Sequence, residues 1–113
     1  MNIGDIYTVE IPASNGHEQA GARPAIIMQA PPFENQLPTV LIVPLTSQLA
    51  AQSFPGTFLI RPDSQNGLTM VSVALVFQSR AIDRRRLKRR IGRLCDSDLA
   101  QLYQHVRALL QLT

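Results

Sequence analysis

The hydrophobic positions of this chain fall into short runs, and their period changes once, near residue 95. Ile6-Tyr7-Thr8-Val9-Glu10-Ile11 is rich in β-branched and aromatic side chains and stops at Pro12, where a strand would lose its donor. A second apolar run, residues 25–28, is closed by Pro31-Pro32, and a third, residues 39–43, is stopped by Pro44. Residues 57–60 precede Pro62, residues 70–77 are continuously apolar after the turn signal Asn66-Gly67, and residues 87–94 give one more strand. Because the runs are continuous rather than alternating, they predict strands covered on both faces, in a small closed barrel or a helix-covered sheet.

From residue 96 the period becomes helical. Asp96 and Ser97 are good capping residues, and Asp98 suits the positive end of a helix dipole. Leu99, Leu102, Tyr103, Val106, Leu109 and Leu110 then recur at three- and four-residue spacing, which draws one apolar stripe that must pack on the sheet or on a partner subunit. Residues 13–22, with Ser, Asn and two glycines, read as a loop, and the loops around residues 31–38 and 48–55 are the ones expected to move. The predicted fold is mainly β with a C-terminal α-helix.

Composition narrows the class without naming a reaction. At 113 residues, 45% hydrophobic and 17% charged, the chain is expected to be a single globular domain spanning 1–113. So small a core often gains stability by dimerising, so a homodimer is expected. The formal net charge is +3, and its distribution matters more than its size. Arg80, Arg84, Arg85, Arg86, Lys88, Arg89, Arg90 and Arg93 crowd one stretch with Asp83 as its only acid. Such a cluster attracts polyanions, RNA and DNA first among them; it also suits an acidic peptide, or simply a solvated basic strand.

The lone Cys95 forbids an intrachain disulfide and is expected to be a buried, inert thiol. With His17 and His105 the only histidines, a structural zinc site has too few ligands, and no metal or other cofactor is expected. The N-terminus shows no signal-peptide pattern and no apolar stretch is long enough to span a bilayer, so a soluble, cytoplasmic protein is expected, with no membrane partner.

Four stretches, in order, resemble the MazF/PemK toxins of type II toxin–antitoxin systems. Gly4-Asp5-Ile6-Tyr7 is similar to the family's opening strand. The segment from Gly16 to Ala25, with Glu18-Gln19, Gly21 and Arg23-Pro24, is close to the loop G-x-E-Q-x-G-x-R-P and is the most specific of the four. Val43-Pro44-Leu45-Thr46-Ser47 matches a strand end that carries (I/L)-T-S. Gln78-Ser79-Arg80-Ala81-Ile82-Asp83, followed by Arg86-Leu87 and Ile91-Gly92, resembles Q-x-R-(T/A)-I-D-x-x-R-L…I-G.

The resemblance implies an SH3-like small barrel shared by MazF, PemK and CcdB toxins, a homodimer, and a cognate MazE-like antitoxin with an acidic C-terminal tail. It also implies a sequence-selective, ribosome-independent and metal-independent endoribonuclease acting on single-stranded RNA. In that chemistry the ribose 2′-hydroxyl is the nucleophile, leaving a 2′,3′-cyclic phosphate and a 5′-hydroxyl.

Arg23 matches the family's catalytic arginine, and a guanidinium can hold two of the phosphoryl oxygens on which transition-state charge gathers. Pro24 restricts Arg23 toward extended backbone, so its side chain leaves in a defined direction. Thr46 matches the catalytic threonine, a hydroxyl donor to the scissile phosphate, with Ser47 as a second donor. His17 is a candidate for taking the 2′-hydroxyl proton, since its ordinary pKa lies near neutrality. Glu18, Gln19, Gln78 and Arg80 are the expected RNA-binding residues.

The chain departs from many relatives at Phe77, where an acid often stands, and at Leu75, where the PemK-like branch has an arginine. The departures leave open a family member that binds RNA or antitoxin without cutting. A gyrase-binding toxin of the CcdB type is the other alternative; those lack the Glu-Gln…Arg-Pro loop and often depend on a C-terminal Trp, and this chain contains no Trp.

Overall fold

β1 (Asp5–Ile11), β2 (Gly21–Ile27), β3 (Thr39–Thr46), β4 (Thr57–Ile60), β5 (Ser72–Leu75), β6 (Arg80–Asp83) and β7 (Leu87–Arg93) precede a helix, α1 (Asp96–Leu110). They are drawn from a computed structural model that describes residues 1–11, 21–29 and 36–112. The strands are hydrogen-bonded in the order β4-β5-β3-β2-β1-β7, with β6 also on β3, and the pairings are antiparallel. The mainly β, barrel-like architecture with a C-terminal helix is therefore the one the apolar runs predict. No helix among the described residues is long and apolar enough to cross a membrane.

β3 organises the sheet by changing partners. Along one edge, residues 39–42 pair with β6 and residues 45–46 with β5, while residues 42–44 pair with β2 along the other. This explains why Pro44 does not stop the strand as expected. Its missing N–H falls between the β6 and β5 ladders, where it interrupts neither. Pro24 is tolerated for a related reason: it lies inside β2 opposite Thr8 of β1, and the ladder to β3 begins only at Ala25. Gly21 and Ala22, expected in a loop, belong to β2.

Both faces of the sheet are covered, as continuous apolar runs require. On β2, Ile26 faces one core with Ile6, Val43, Leu45 and Ile60, while Ala25 and Ile27 face a second with Val9, Ile11, Ile42 and Ile82. α1 closes the first core. Leu102 is fully buried, and Leu99 and Val106 pack against it half-buried.

Several local expectations are corrected. Only Ser72–Leu75 of the apolar run 70–77 is strand; Met70 is exposed and Val76–Gln78 turns as a 3-10 helix. The strand β6 was not legible, since Arg80-Ala81-Ile82-Asp83 offers one buried side chain. Residues 49–53, expected to lie in an open loop, form a 3-10 turn, and the Thr57 hydroxyl donates to the Phe54 and Gln52 carbonyls beside it. The cap of α1 is Cys95 rather than Asp96 or Ser97, without a side-chain capping bond; its thiol is half-buried, 3.3 Å from the Ser97 hydroxyl. Of the predicted helical stripe only Leu99, Leu102 and Val106 pack on the core, while Tyr103, Leu109 and Leu110 remain exposed.

The turn after β4 is locked to β7. Fully buried Asn66 accepts from the Leu68 N–H at 3.0 Å and donates to the Arg61 carbonyl at 2.8 Å, and Asp63 accepts from the Gln65 and Asn66 N–H groups. Gly67 lies at φ 69°, and a Cβ there would overlap the Ile91 carbonyl. Gly92 meets the same turn from the other side, where a Cβ would overlap the backbone of Gln65 and Asn66. The Arg93 N–H donates to the Gln65 carbonyl at 3.0 Å, so the turn and β7 form one rigid piece.

Candidate active site

The β2–β3 ladder sets Ile27 opposite Ile42, Ile26 opposite Val43 and Ala25 opposite Pro44. Continued by two residues, the same register brings Arg23 opposite Thr46, and residues directly opposite share a face. Both side chains are half-buried and line one hollow of about 240 Å³, together with Pro44, Gln48, Gln78 and Arg80. Among the described residues no acceptor holds the Arg23 guanidinium, so its donors are available to a ligand.

The Thr46 hydroxyl is oriented by its own turn. It accepts the Gln48 backbone N–H at 3.2 Å, which leaves its proton free to be donated. An arginine fork and a hydroxyl donor on one face of the sheet suit an anion with several oxygens, and a phosphodiester is such a group.

The expected site residues divide into three sets. Arg23, Thr46, Gln78 and Arg80, distant in sequence, come together in this hollow. Arg80 arrives there because β6 pairs it with Ile42 of β3, one strand from Arg23. Ser47 points elsewhere. Being one residue on from Thr46, it faces the opposite side of the sheet, into a second hollow of about 400 Å³ that Arg23, Thr46 and Gln48 also border. His17, Glu18 and Gln19 lie outside the described residues.

The two departures from the family pattern have different surroundings. Leu75 lines the Arg23–Thr46 hollow as an apolar wall. Phe77 does not line it: its ring packs on Phe54 at 5.6 Å, and the two border a separate apolar hollow against α1 with Ala108, Leu109 and His105. His105 is itself stacked on Phe58, 5.3 Å away and nearly parallel. Phe54 and Gln48 were missed in the sequence. Phe54 is more than half exposed at the rim of the Arg23–Thr46 hollow, where an aromatic face is open to stack on a base. A lone aromatic in the polar stretch around residue 54 was the available signal.

The basic stretch is partly neutralised. Lys88 pairs with Glu10 at 2.9 Å, Arg85 with Asp83 at 2.8 Å, and Arg90 approaches buried Asp5 at 3.4 Å. The Arg85 side chain and backbone N–H hold the Asp83 carboxyl well below the usual carboxylate range, and Lys88 lowers that of Glu10. Arg89, opposite Thr8 of β1, has no carboxylate partner among the described residues and borders the second hollow.

Arginine and hydroxyl donors gathered in an open cleft of a small basic β domain are a setting suited to phosphate-bearing ligands. The chain belongs to the PemK-like, MazF-like toxins of type II toxin–antitoxin systems, whose family model matches residues 2–110. It is similar to the Endoribonuclease MazF of Staphylococcus saprophyticus, 30% identical over 102 residues, which are 90% of this chain and 84% of that protein. Its fold is similar to that of MazF from Deinococcus radiodurans, with a TM-score of 0.79 at 23% identity over 99% of this chain and 97% of that one. A mycobacterial endoribonuclease solved with its cognate antitoxin matches with a TM-score of 0.75 at 17% identity, covering 100% and 97% of the two chains.

Proposed function

We propose that this protein is the toxin of a toxin–antitoxin pair and cleaves single-stranded RNA at short sequences without a metal ion. The observation that carries the reading is the convergence of Arg23, Thr46, Gln78 and Arg80 from three strands and a turn on one hollow. It is supported by family membership and by the name of the staphylococcal relative.

The reaction is an internal transesterification. The 2′-oxygen attacks phosphorus, the bond to the 5′-oxygen breaks, and a 2′,3′-cyclic phosphate and a 5′-hydroxyl result. Arg23 holds the non-bridging oxygens as their charge grows, and Thr46 donates to the same phosphate. Gln78 and Arg80 bind the flanking RNA, and Phe54 offers a stacking surface. His17 takes the proton of the 2′-hydroxyl, and Glu18 and Gln19 hold the RNA beside it. With Leu75 apolar and Phe77 turned toward Phe54, no acid of the β5 end takes part, and orientation of the 2′-oxygen supplies much of the rate.

Two partners complete the proposal. The first is an antitoxin with an acidic tail, as a structural neighbour was solved with its cognate antitoxin. The tail is received by the exposed basic positions of β7 and the turn before it. The second is another copy of this chain: the domain is small, and α1 leaves Leu109 and Leu110 exposed.

The test is a primer-extension map of a long mixed-sequence RNA incubated with the protein in EDTA, beside Arg23→Ala. Discrete cuts at one short repeated sequence are expected, with fragments that accept a 5′ label from a kinase without phosphatase treatment. No cuts, or cuts that persist in the variant, would overturn the reading.

A further inference from the structure

The Arg23–Thr46 pair stands on a ridge between two hollows, one on each face of the sheet. Only the first is used by the mechanism above. The second, of about 400 Å³, is the larger, and its wall is built from parts that no step of that mechanism needs. Arg89 of β7 stands beside Thr8, its opposite in the β1–β7 ladder, and both border it. The same hollow is lined by Ser47 and Thr69, by Ser72, whose buried hydroxyl donates to the Met70 carbonyl, and by Met70, whose side chain is mostly exposed.

A guanidinium without a carboxylate partner among the described residues, in one hollow with the Ser47 and Thr69 hydroxyls and an exposed thioether, is a donor-rich but partly apolar setting. It fits a nucleotide, with its phosphate on Arg89 and the hydroxyls and its base against Met70 and the edge of the turn. The setting is also rigid. The turn that carries Leu68, Thr69 and Met70 is braced internally by Asn66, and it is fixed to β7 by the tight contacts of Gly67 with Ile91 and of Gly92 with Gln65 and Asn66, and by the Arg93–Gln65 hydrogen bond. A rigid wall discriminates between bases better than a loop that yields.

We propose that this second hollow is a nucleotide subsite for the residue adjoining the scissile phosphate, in which Arg89 holds that nucleotide's phosphate and Thr69 and Met70 set which base is accepted. The proposal rests on the ribonuclease reading of the Arg23–Thr46 hollow. It places the strand across the ridge, with one flanking nucleotide on each face of the sheet, so that selectivity has two separately adjustable halves.

The experiment uses the full-length protein, a cleavable RNA, and the same oligonucleotide with a 2′-deoxyribose at the cut position. Arg89→Gln is expected to weaken binding of the uncleavable oligonucleotide about tenfold, and to make the dependence of log affinity on log salt shallower by about 0.7. Its loss in kcat/KM should lie in KM. Thr69→Val and Met70→Ala are expected to change the preferred base at one flanking position, with the cut still dependent on Arg23. Each variant is accepted only with a wild-type circular dichroism spectrum, and Met70, exposed outside the strands, supplies one that does not disturb folding. If Arg23→Ala abolishes cutting while all three variants keep the wild-type sequence preference and salt slope, the subsite is overturned and the ribonuclease reading stands. If the wild type cuts nothing, that reading falls, and the subsite is then decided by whether Arg89→Gln weakens the uncleavable oligonucleotide.

Discussion

In the proposed reaction Arg23 and Thr46 act on the same oxygens, but they are replaceable to different degrees. Arg23 is half-buried on the ridge between the hollows, and among the described residues nothing else lines both of them with a guanidinium. Arg23→Lys keeps the charge but loses the two-pronged donor, which a single ammonium does not reproduce. A loss in kcat of about 100-fold or more is expected for it, and a larger one for Arg23→Ala. Thr46→Val keeps the branched shape and removes both the proton donated to phosphate and the acceptor of the Gln48 N–H. It should cost about 10²–10³ in kcat with KM little changed, the range for removing one donor to a developing oxyanion. Single-turnover cleavage at saturating protein separates these effects; a Thr46→Val enzyme with full kcat would assign the hydroxyl to the turn alone. Gln78→Ala, by contrast, removes a binding contact at an exposed position and is expected to raise KM.

The elements explain what could and could not be read along the chain. The strands with two buried faces, β1, β2 and β3, announced themselves as apolar runs, and the helical period after residue 95 located α1. Pro44 misled because a proline's missing donor matters only where a ladder needs it, and the partner change in β3 is a tertiary fact. β6 was invisible since its pairing with β3 is made by backbone, while its side chains are mostly polar. In the same way Arg23, Thr46, Gln78 and Arg80 were legible as motif residues, but their common hollow was not, because it depends on register across three strands. The second hollow was wholly illegible: it needs the Asn66–Gly67 turn to fold onto β7. That docking is testable as stability. Gly67→Ala puts a Cβ at φ 69° and into the Ile91 carbonyl. The backbone term alone is about 1–2 kcal/mol, and the overlap adds to it, so a fall in Tm of roughly 10 °C or more is expected by calorimetry. Gly92→Ala meets the other side of the same contact and should destabilise comparably. A double variant that loses less than the sum would show that both act on one interface. Unchanged Tm values would mean that the turn lifts off β7 at little cost, which a rigid subsite wall does not permit.

At the scale of the whole molecule the question is how one basic surface would serve the two proposed partners, RNA and an acidic tail. The net charge of +3 is modest, and three acids inside or beside the cationic stretch neutralise Lys88, Arg85 and Arg90 in part. Among the arginines without a carboxylate partner in the described residues, Arg23 and Arg89 border the cleft, while Arg61, Arg86, Arg93 and Arg107 lie outside it. If Arg23, Arg80 and Arg89 are the phosphate contacts, RNA affinity should fall roughly 20-fold between 50 and 200 mM salt, the dependence for about three contacts to a single strand. An acidic antitoxin tail meets the same positive field, so its binding should weaken with salt in parallel. Lying where RNA lies, it should raise KM and leave kcat unchanged, and Arg89→Gln should weaken the tail and the RNA by similar factors. Inhibition kinetics with a synthetic acidic peptide at two salt concentrations read all of these. An inhibitor that lowered kcat at constant KM, and that Arg89→Gln did not affect, would place the tail on a different face. The exposed apolar end of α1, around Leu109 and Phe77, would then be the surface to test.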